Sequence, residues 1–203
     1  MVEQQEYIEQ TSGKKLPVIF GEKVVLLPFF DIFDMDDFVR LHREDRRGYM
    51  CRFCLKNLNE MEAECYIENL IKDNQLYIWT VMLKGSDKKA GFIYLSNVQS
   101  HCASINGIMD KEFVKSLTKK ERKNKKTYAD DAAIALIDTC FRNGFQRIEG
   151  DAVEDDREAI ALHKRIGFKQ EGFLRKAVDI SGNLKNLIIV SILEDEWKIE
   201  EKG

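Results

Sequence analysis

The sequence lacks the features that would place it in a membrane or outside the cell. No apolar run approaches the roughly 18–20 residues that a membrane-spanning helix needs. The first residues, MVEQQEYIEQ, are acidic and contain neither a basic region nor an apolar core, so we expect no secretory signal. The five cysteines show no disulfide-like spacing, which favours a reducing compartment with free thiols. We therefore expect a cytoplasmic protein without a membrane partner.

Internal repeats and long linkers rich in proline or glycine are missing as well. A chain of 203 residues, of which 44% are hydrophobic and 33% charged, is most simply one domain with a substantial core. We expect an amino-terminal arm over residues 1–20 and a single domain over residues 21–203. The net charge of -3 gives the molecule no general attraction for nucleic acid.

The spacing of apolar residues predicts a mixture of helices and strands. The predicted order is β-α-α-β-β-β-α-β-α-β-β, which indicates an α/β (or α+β) domain with a mixed sheet. Helices are predicted over residues 34–44, 59–73, 128–143 and 156–165. Strands are predicted over residues 23–29, 77–83, 90–98, 103–109, 148–153, 173–179 and 184–193. A loop over residues 46–57 and a polar link over residues 110–126 are also predicted.

Positive charge is concentrated in residues 111–126, which contain eight Lys or Arg residues against two Glu residues. The segment fits a solvated loop, because charged runs are usually exposed. It also fits a rim beside a phosphate-bearing ligand, because clustered positive charge raises the local concentration of anions. A third interpretation is nucleic-acid binding, but no aromatic-rich stacking surface accompanies the charge, so we expect no nucleic-acid partner.

Two motifs in the carboxy-terminal half resemble a known family. Residues 156–168 read DREAIALHKRIGF, and a strand that begins EGFLR follows at Glu171. They resemble the Asn-x-x-Ala/Ser-x-x-x-Tyr-x-x-x-Gly-Phe and Glu-Gly-x-x-Arg patterns of GNAT-type N-acetyltransferases, especially the branch that acetylates ribosomal-protein amino termini. The resemblance covers roughly residues 20–197. It implies a mostly antiparallel, twisted sheet flanked by helices.

The resemblance also implies acetyl-CoA as cosubstrate, with its pyrophosphate at the start of the helix predicted over residues 128–143. Backbone N–H groups and the helix dipole favour an anion at such a terminus. The family's loop before this helix reads Arg/Gln-x-x-Gly-x-Gly/Ala, whereas this chain reads NKKTYA over residues 124–129. Asp131 and its neighbour Asp130 would repel phosphate if they pointed at it. The residues expected to contact the cofactor are Met109, Lys125, Lys126, Thr127, Tyr128, Ala129, Asp130, Asp156 and Ala159.

The implied chemistry is direct attack of a primary amine on the acetyl thioester. His163 stands where many family members have the Tyr that protonates the CoA thiolate, and a His with the usual pKa near 6.5 suits proton transfer at neutral pH. The strand over residues 104–109 is expected to splay from the strand over residues 148–153 and leave a cleft. For the base that takes the ammonium proton, Asp110 ranks first. The alternatives are Asn106, as the holder of a water molecule, and Glu171.

Two alternatives stay open at this stage. Asn124, Thr127, Asp156 and His163 replace the family's preferred types, which also fits a GNAT-like CoA-binding or regulatory domain without catalysis. Separately, a zinc site is one interpretation of a small group of potential ligands, although ordinary loop or core residues explain them as well. That group comprises Cys51, Cys54, Cys65 and His42. The sequence leaves open whether the acceptor is a small-molecule or a peptide amine, and whether the chain forms a homodimer.

Overall fold

The computed structural model describes residues 7–9, 15–45, 55, 58–117, 126–180 and 182–197. The strands are β1 (Tyr7–Glu9), β2 (Lys15–Pro17), β3 (Ile19–Phe20), β4 (Val24–Pro28), β5 (Leu76–Leu83), β6 (Lys89–Ser96), β7 (Cys102–Met109), β8 (Arg147–Val153), β9 (Lys169–Ile180) and β10 (Asn183–Leu193). The helices are α1 (Asp31–Glu44), α2 (Glu60–Lys72), α3 (Lys111–Ser116), α4 (Tyr128–Arg142) and α5 (Arg157–Ile166). A 3-10 turn spans Glu194–Glu196.

Eight of the described strands form one sheet in the order β3-β4-β5-β6-β7-β8-β10-β9. Every pair of neighbours in it is antiparallel except β7 and β8, which are parallel. The two remaining strands, β1 and β2, pair with each other in a small separate sheet. The predicted fold class, a mixed and mostly antiparallel sheet flanked by helices, is confirmed.

Helices cover both faces of the large sheet, because successive side chains on a strand point to opposite faces and both faces are apolar. Helices α1 and α2 pack on one face in a cluster that includes Phe38, Ile67 and Tyr94. Helix α4 packs on the other face, where Leu136 and Ile148 belong to the larger cluster. None of the helices in the described ranges is long and apolar enough to cross a membrane.

The predicted helices and strands are present, with several differences in bounds. Strand β9 begins at Lys169 rather than at residue 173. Helix α1 begins at Asp31 rather than at residue 34. Strands β2 and β3 fall in the predicted arm, and Leu16 and Ile19 belong to the main core. Helix α3 lies in the predicted polar link because Phe113 is buried and packs against the Tyr128 ring. The parts of the predicted loop and link over residues 46–54, 56–57 and 118–125 lie outside the described residues.

Candidate active site

The predicted cleft between β7 and β8 is confirmed. The two strands pair in parallel only from Cys102–Ser104 to Arg147–Glu149. Beyond that point β7 pairs with β6 and β8 pairs with β10, but they no longer pair with each other. The facing edges of 105–109 and 150–153 therefore carry backbone groups that no strand ladder uses. A ligand with amide groups can satisfy such edges, since unpaired backbone donors and acceptors are costly to leave buried.

The start of α4 is a regular, capped helix terminus despite its altered sequence. Thr127 is the N-cap and forms a capping box, in which its hydroxyl accepts from the Asp130 N–H at 3.1 Å. The Asp130 carboxylate in turn accepts from the Thr127 N–H at 2.7 Å. The capping box does not use the N–H of Ala129, which lies in the same turn. Because Thr127 has a φ of -79°, the backbone does not need the glycine that is usual here.

The two aspartates at this turn are directed into the protein rather than toward an incoming anion. Asp130 forms an ion pair with Arg165 at 2.8 Å. Asp131 accepts from the backbone N–H groups of Glu22, Lys23 and Val24 at 3.1, 2.7 and 3.1 Å. Both carboxylates are buried, so their negative charge is compensated inside the fold. The repulsion of phosphate that the sequence suggested is therefore reduced.

The lysine predicted to compensate for the altered loop has other partners. The Lys126 ammonium lies 3.2 Å from a carboxylate oxygen of Glu22 and 3.2 Å from one of Asp131. Its carbonyl accepts from the Lys23 ammonium at 2.6 Å. The charge of Lys126 is therefore compensated by two acids, Glu22 and Asp131. Lys125, predicted for the same role, lies outside the described residues.

His163 lies where the cleft begins. The ring stands over Gly150, the first residue of β8 beyond the parallel pairing, because a Cβ on Gly150 would lie 3.0 Å from His163 Nε2. The ring also packs against Phe168 at 5.1 Å between ring centroids. The buried Nδ1 atom makes no hydrogen bond to any described residue. The ring therefore lies against β8 at the point where β7 and β8 stop pairing.

The protonation state of His163 differs from the sequence-based expectation. Burial lowers its pKa to about 4, against a smaller opposing effect of Asp156. The imidazole is therefore neutral at pH 7 and is protonated far less often than a histidine with the usual pKa would be. A neutral imidazole still carries one N–H donor.

Asp156, predicted to contact the cofactor, is the N-cap of α5. Its carboxylate accepts from the N–H of Ala159 at 3.0 Å.

Asp110, ranked first as the base, is occupied as a helix cap. It follows Met109 at the end of β7, and its Oδ1 accepts from the N–H groups of Glu112 and Phe113 at 2.7 and 3.1 Å. Its other oxygen lies 3.3 Å from Arg40. Burial raises its pKa, but these N–H groups and the guanidinium outweigh burial and lower the pKa overall. Asp110 therefore positions α3, and with a lowered pKa it holds a proton poorly at neutral pH.

The two alternatives for the base are also engaged. The Arg147 guanidinium binds both carboxylate oxygens of Glu171 and, with the Ser191 hydroxyl, lowers the Glu171 pKa to about 2. Such a carboxylate holds a proton poorly at neutral pH. Asn106 donates from Nδ2 to the Ser96 hydroxyl at 3.2 Å.

Sequence reasoning missed Glu149. Glu149 forms the last parallel pair with Ser104 and lines a pocket of about 590 Å³ beside α2. Its Oε1 atom accepts from Arg147 Nε at 2.9 Å. The available signal was the alternation of the charged residues Arg147, Glu149 and Asp151 with buried residues in a central strand. Its significance depends on which strand lies beside it, and the sequence alone does not show that.

The two members of the group of potential zinc ligands that the structure describes, His42 and Cys65, do not lie in a metal site. His42 is fully buried, with Nδ1 2.7 Å from the Phe38 carbonyl and Nε2 3.2 Å from the Tyr94 hydroxyl. Cys65 is exposed on α2. Cys51 and Cys54 lie outside the described residues. Within the described ranges, no group of three His, Cys, Asp or Glu residues is arranged to hold a metal ion.

Comparison with known proteins identifies the family and the fold of this chain. A family model described as an acetyltransferase (GNAT) domain matches residues 23–169. No curated protein matches the chain. A crystal structure of a probable GNAT-family acetyltransferase from Chromobacterium violaceum is 21% identical, with a TM-score of 0.65, covering 97% of this chain and 94% of that one. The resemblance seen in the sequence is confirmed.

Two further solved structures have the same fold at lower identity. A mutant of spermidine N-acetyltransferase SpeG from Vibrio cholerae is 16% identical with a TM-score of 0.68, covering 86% of this chain and 95% of that one. RimL, a ribosomal L7/L12 alpha-N-protein acetyltransferase in complex with coenzyme A, is 13% identical with a TM-score of 0.68. That alignment covers 86% of this chain and 96% of RimL. At these identities the likeness concerns the fold alone.

Proposed function

We propose that this chain, which belongs to the GNAT acetyltransferase family, transfers an acetyl group from acetyl-CoA to a primary amine by direct attack. The observation that carries the proposal is the cleft between β7 and β8, which opens after Ser104 and Glu149. The family uses acetyl-CoA, and the unpaired strand edges suit the amide groups of its pantetheine arm. The first turn of α4 suits its pyrophosphate through backbone N–H groups.

In the proposed reaction, backbone N–H groups of the cleft act on the carbonyl oxygen and the His163 side chain acts on the sulfur. Acetyl-CoA supplies a thioester whose carbonyl carbon is attacked by the amine. Alternate N–H groups on the open edge of 105–109 point into the cleft and stabilise negative charge that develops on the carbonyl oxygen. His163, neutral and with one N–H, donates a hydrogen bond to the sulfur as it becomes a thiolate. This assignment keeps the residue predicted from the motif but changes its role from proton donor to hydrogen-bond donor.

We expect acetyl-CoA to bind the native protein and raise its melting temperature. Ligand present at about 100 times its Kd stabilises a protein by about 2.7 kcal/mol. Calorimetric titration with acetyl-CoA and with CoA, together with a thermal shift, measures this. Absence of binding at millimolar ligand would contradict the proposed function. Binding without transfer to any amine would instead support the regulatory alternative.

Gly150 should be needed for transfer because its missing side chain makes room for His163. In Gly150→Ala the new Cβ would lie 3.0 Å from His163 Nε2 and 3.3 Å from Val190 Cγ2, so the ring must move. Since small displacements of reacting groups are costly, we expect single-turnover transfer about tenfold slower with acetyl-CoA affinity retained. Gly172→Ala is the matched control, because its Cβ would meet Ile189 at an ordinary 3.8 Å. Equal rates in both variants would contradict the placement of His163.

A further inference from the structure

We propose that Lys23 supplies the positive charge that binds the pyrophosphate of acetyl-CoA at the start of α4. The proposal rests on the proposed function and deepens it, because it assigns to the cofactor a side chain from outside the loop before α4. Two observations carry it. The Lys23 ammonium lies at the first turn of α4, where it donates to the Lys126 carbonyl at 2.6 Å. No described carboxylate lies within ion-pair distance of that ammonium.

The fold holds the turn before β4 against the first turn of α4. The Asp131 carboxylate accepts from the backbone N–H groups of residues 22–24 at 3.1, 2.7 and 3.1 Å. Gly21 makes this contact possible, because a Cβ there would lie 2.5 Å from Asp131 Oδ2. The backbone of Lys23 is therefore attached to α4 itself. Its side chain starts from a fixed place beside the helix terminus.

The Lys23 side chain ends where a ligand of the α4 terminus would lie. The carbonyl that it contacts belongs to the residue before the N-cap Thr127, and its ammonium lies 5.9 Å from the centroid of the Tyr128 ring. An ammonium has three N–H donors, and the described residues accept only one of them. The side chain is half-buried, so part of its conformational freedom is already lost before a ligand binds.

Three described cations lie at this turn, and Lys23 alone among them has no carboxylate partner in the described residues. Lys126 and Arg165 each form ion pairs with buried carboxylates of α4. The positive end of the helix dipole lies at the same place, so an uncompensated cation there is unfavourable. A bound pyrophosphate would reverse this, because both the ammonium and the dipole attract it. The charge arrangement therefore points to an anionic ligand.

Lys23 also compensates for the sequence of the loop before α4. Thr127 stands where the family usually has glycine, and the charge of Lys126 is already shared with acids. A cation delivered by the turn before β4 does not depend on that loop, because Asp131 holds its backbone. A hydrogen bond between an ammonium and a phosphate is roughly twice as strong as one between neutral groups. Lys23 and the backbone N–H groups of α4 thus act on the same ligand.

Lys23→Met tests the proposal, with Lys84→Met as its matched control. Lys84 is exposed, and its N–H donates to the Lys23 carbonyl at 2.9 Å. Its ammonium lies 5.9 Å from the centroid of the Phe20 ring, the same distance that separates Lys23 from the Tyr128 ring. Both variants therefore remove one cation stacked on one aromatic ring, but only Lys23 lies at α4.

Calorimetric titration with CoA at several salt concentrations measures the effect. We expect Lys23→Met to bind CoA about tenfold more weakly at low salt, as for loss of a hydrogen bond to a charged group. The difference from wild type should shrink as salt rises, because salt screens partly exposed charges. Lys84→Met should bind CoA within about twofold of wild type. Lys23→Arg keeps a cation and should retain most of the affinity.

Inorganic pyrophosphate distinguishes a direct contact from a structural role of Lys23. It should compete with CoA for the wild-type protein and compete more weakly for Lys23→Met, because the variant lacks the cation that both ligands use. Melting temperatures without ligand check that the variants are folded. Should Lys23→Met be unfolded, Lys23→Gln, which keeps a donor for the Lys126 carbonyl, makes the same comparison.

The outcomes separate this inference from the proposed function. Equal CoA affinities of the Lys23 and Lys84 variants would overturn the role of Lys23. A loss of affinity that is independent of salt, with unchanged competition by pyrophosphate, would overturn it as well, because such a loss would come from the structure of the turn. Failure of the wild-type protein to bind CoA would instead contradict the proposed function itself.

Discussion

Replacing His163 with phenylalanine should slow acetyl transfer about 100-fold, the usual cost of losing one well-placed hydrogen-bond donor to developing negative charge. Phenylalanine keeps an aromatic ring beside Phe168 but has no N–H to offer the departing sulfur. His163→Tyr restores a donor of the type that the family carries at this position and should recover most of the rate. Single-turnover transfer with saturating acetyl-CoA measures the step directly, and calorimetry checks that cofactor affinity is retained.

The pH profile distinguishes a neutral donor from an acidic imidazolium. Since burial lowers the His163 pKa to about 4, the residue should contribute no inflection to the rate between about pH 6 and pH 9. An imidazolium with the usual pKa near 6.5 would instead cause the rate to fall as pH rises through that value. His101→Phe, at an exposed histidine beside Ser100, is the control and should match wild type. A His163→Phe rate within about threefold of wild type would assign no catalytic role to this side chain.

The local sequence pattern was sufficient to predict the two helices that lie beside the cleft. The helices over residues 128–143 and 156–165 have caps and apolar spacing that depend on neighbouring residues alone, and both are present. His163 could be singled out because its distance from Gly167 and Phe168 follows a motif. The separation of β7 from β8 was predicted through the resemblance. No periodicity in the chain specifies where parallel pairing stops.

Interactions between distant parts of the chain could not be predicted in the same way. Lys126 reads as a free cation in a basic run, but its carboxylate partner Glu22 is supplied by the segment before β4. Asp110 reads as a titratable group at a strand end until the structure shows that it caps α3. The low pKa of His163 comes from burial, which depends on how α5 packs over Gly150. Each difference concerns a partner or a degree of burial rather than the type of secondary structure.

Asp131 should be the carboxylate whose loss destabilises the fold most among those at the start of α4. Its side chain is 1% exposed and accepts from three backbone N–H groups of residues 22–24, in addition to its ion pair with Lys126. Gly21 permits this close packing, because a Cβ there would lie 2.5 Å from Asp131 Oδ2. Asp131→Ala leaves these donors without an acceptor, which should lower the free energy of unfolding by about 3 kcal/mol. Urea unfolding of the variant and the wild type measures the difference.

The stabilisation by Asp131 should also disappear in acid. Burial raises its pKa, but the N–H groups of Lys23 and Glu22 and the Lys126 ammonium outweigh this and hold the pKa below its usual 3.8. A carboxyl group whose pKa is lower in the folded state stabilises the protein above pH 3.8 and loses that effect as pH falls through the folded pKa. The difference in the free energy of unfolding between wild type and Asp131→Asn should therefore be constant near neutral pH and shrink below about pH 4.

Glu68→Gln is the control for Asp131→Ala. Glu68 forms an exposed pair with Lys72, so its loss should change the free energy of unfolding by about 0.5 kcal/mol or less. A loss for Asp131→Ala no larger than that of Glu68→Gln would mean that the segment before β4 is held without this carboxylate, and the capping box at Thr127 would then orient α4 alone.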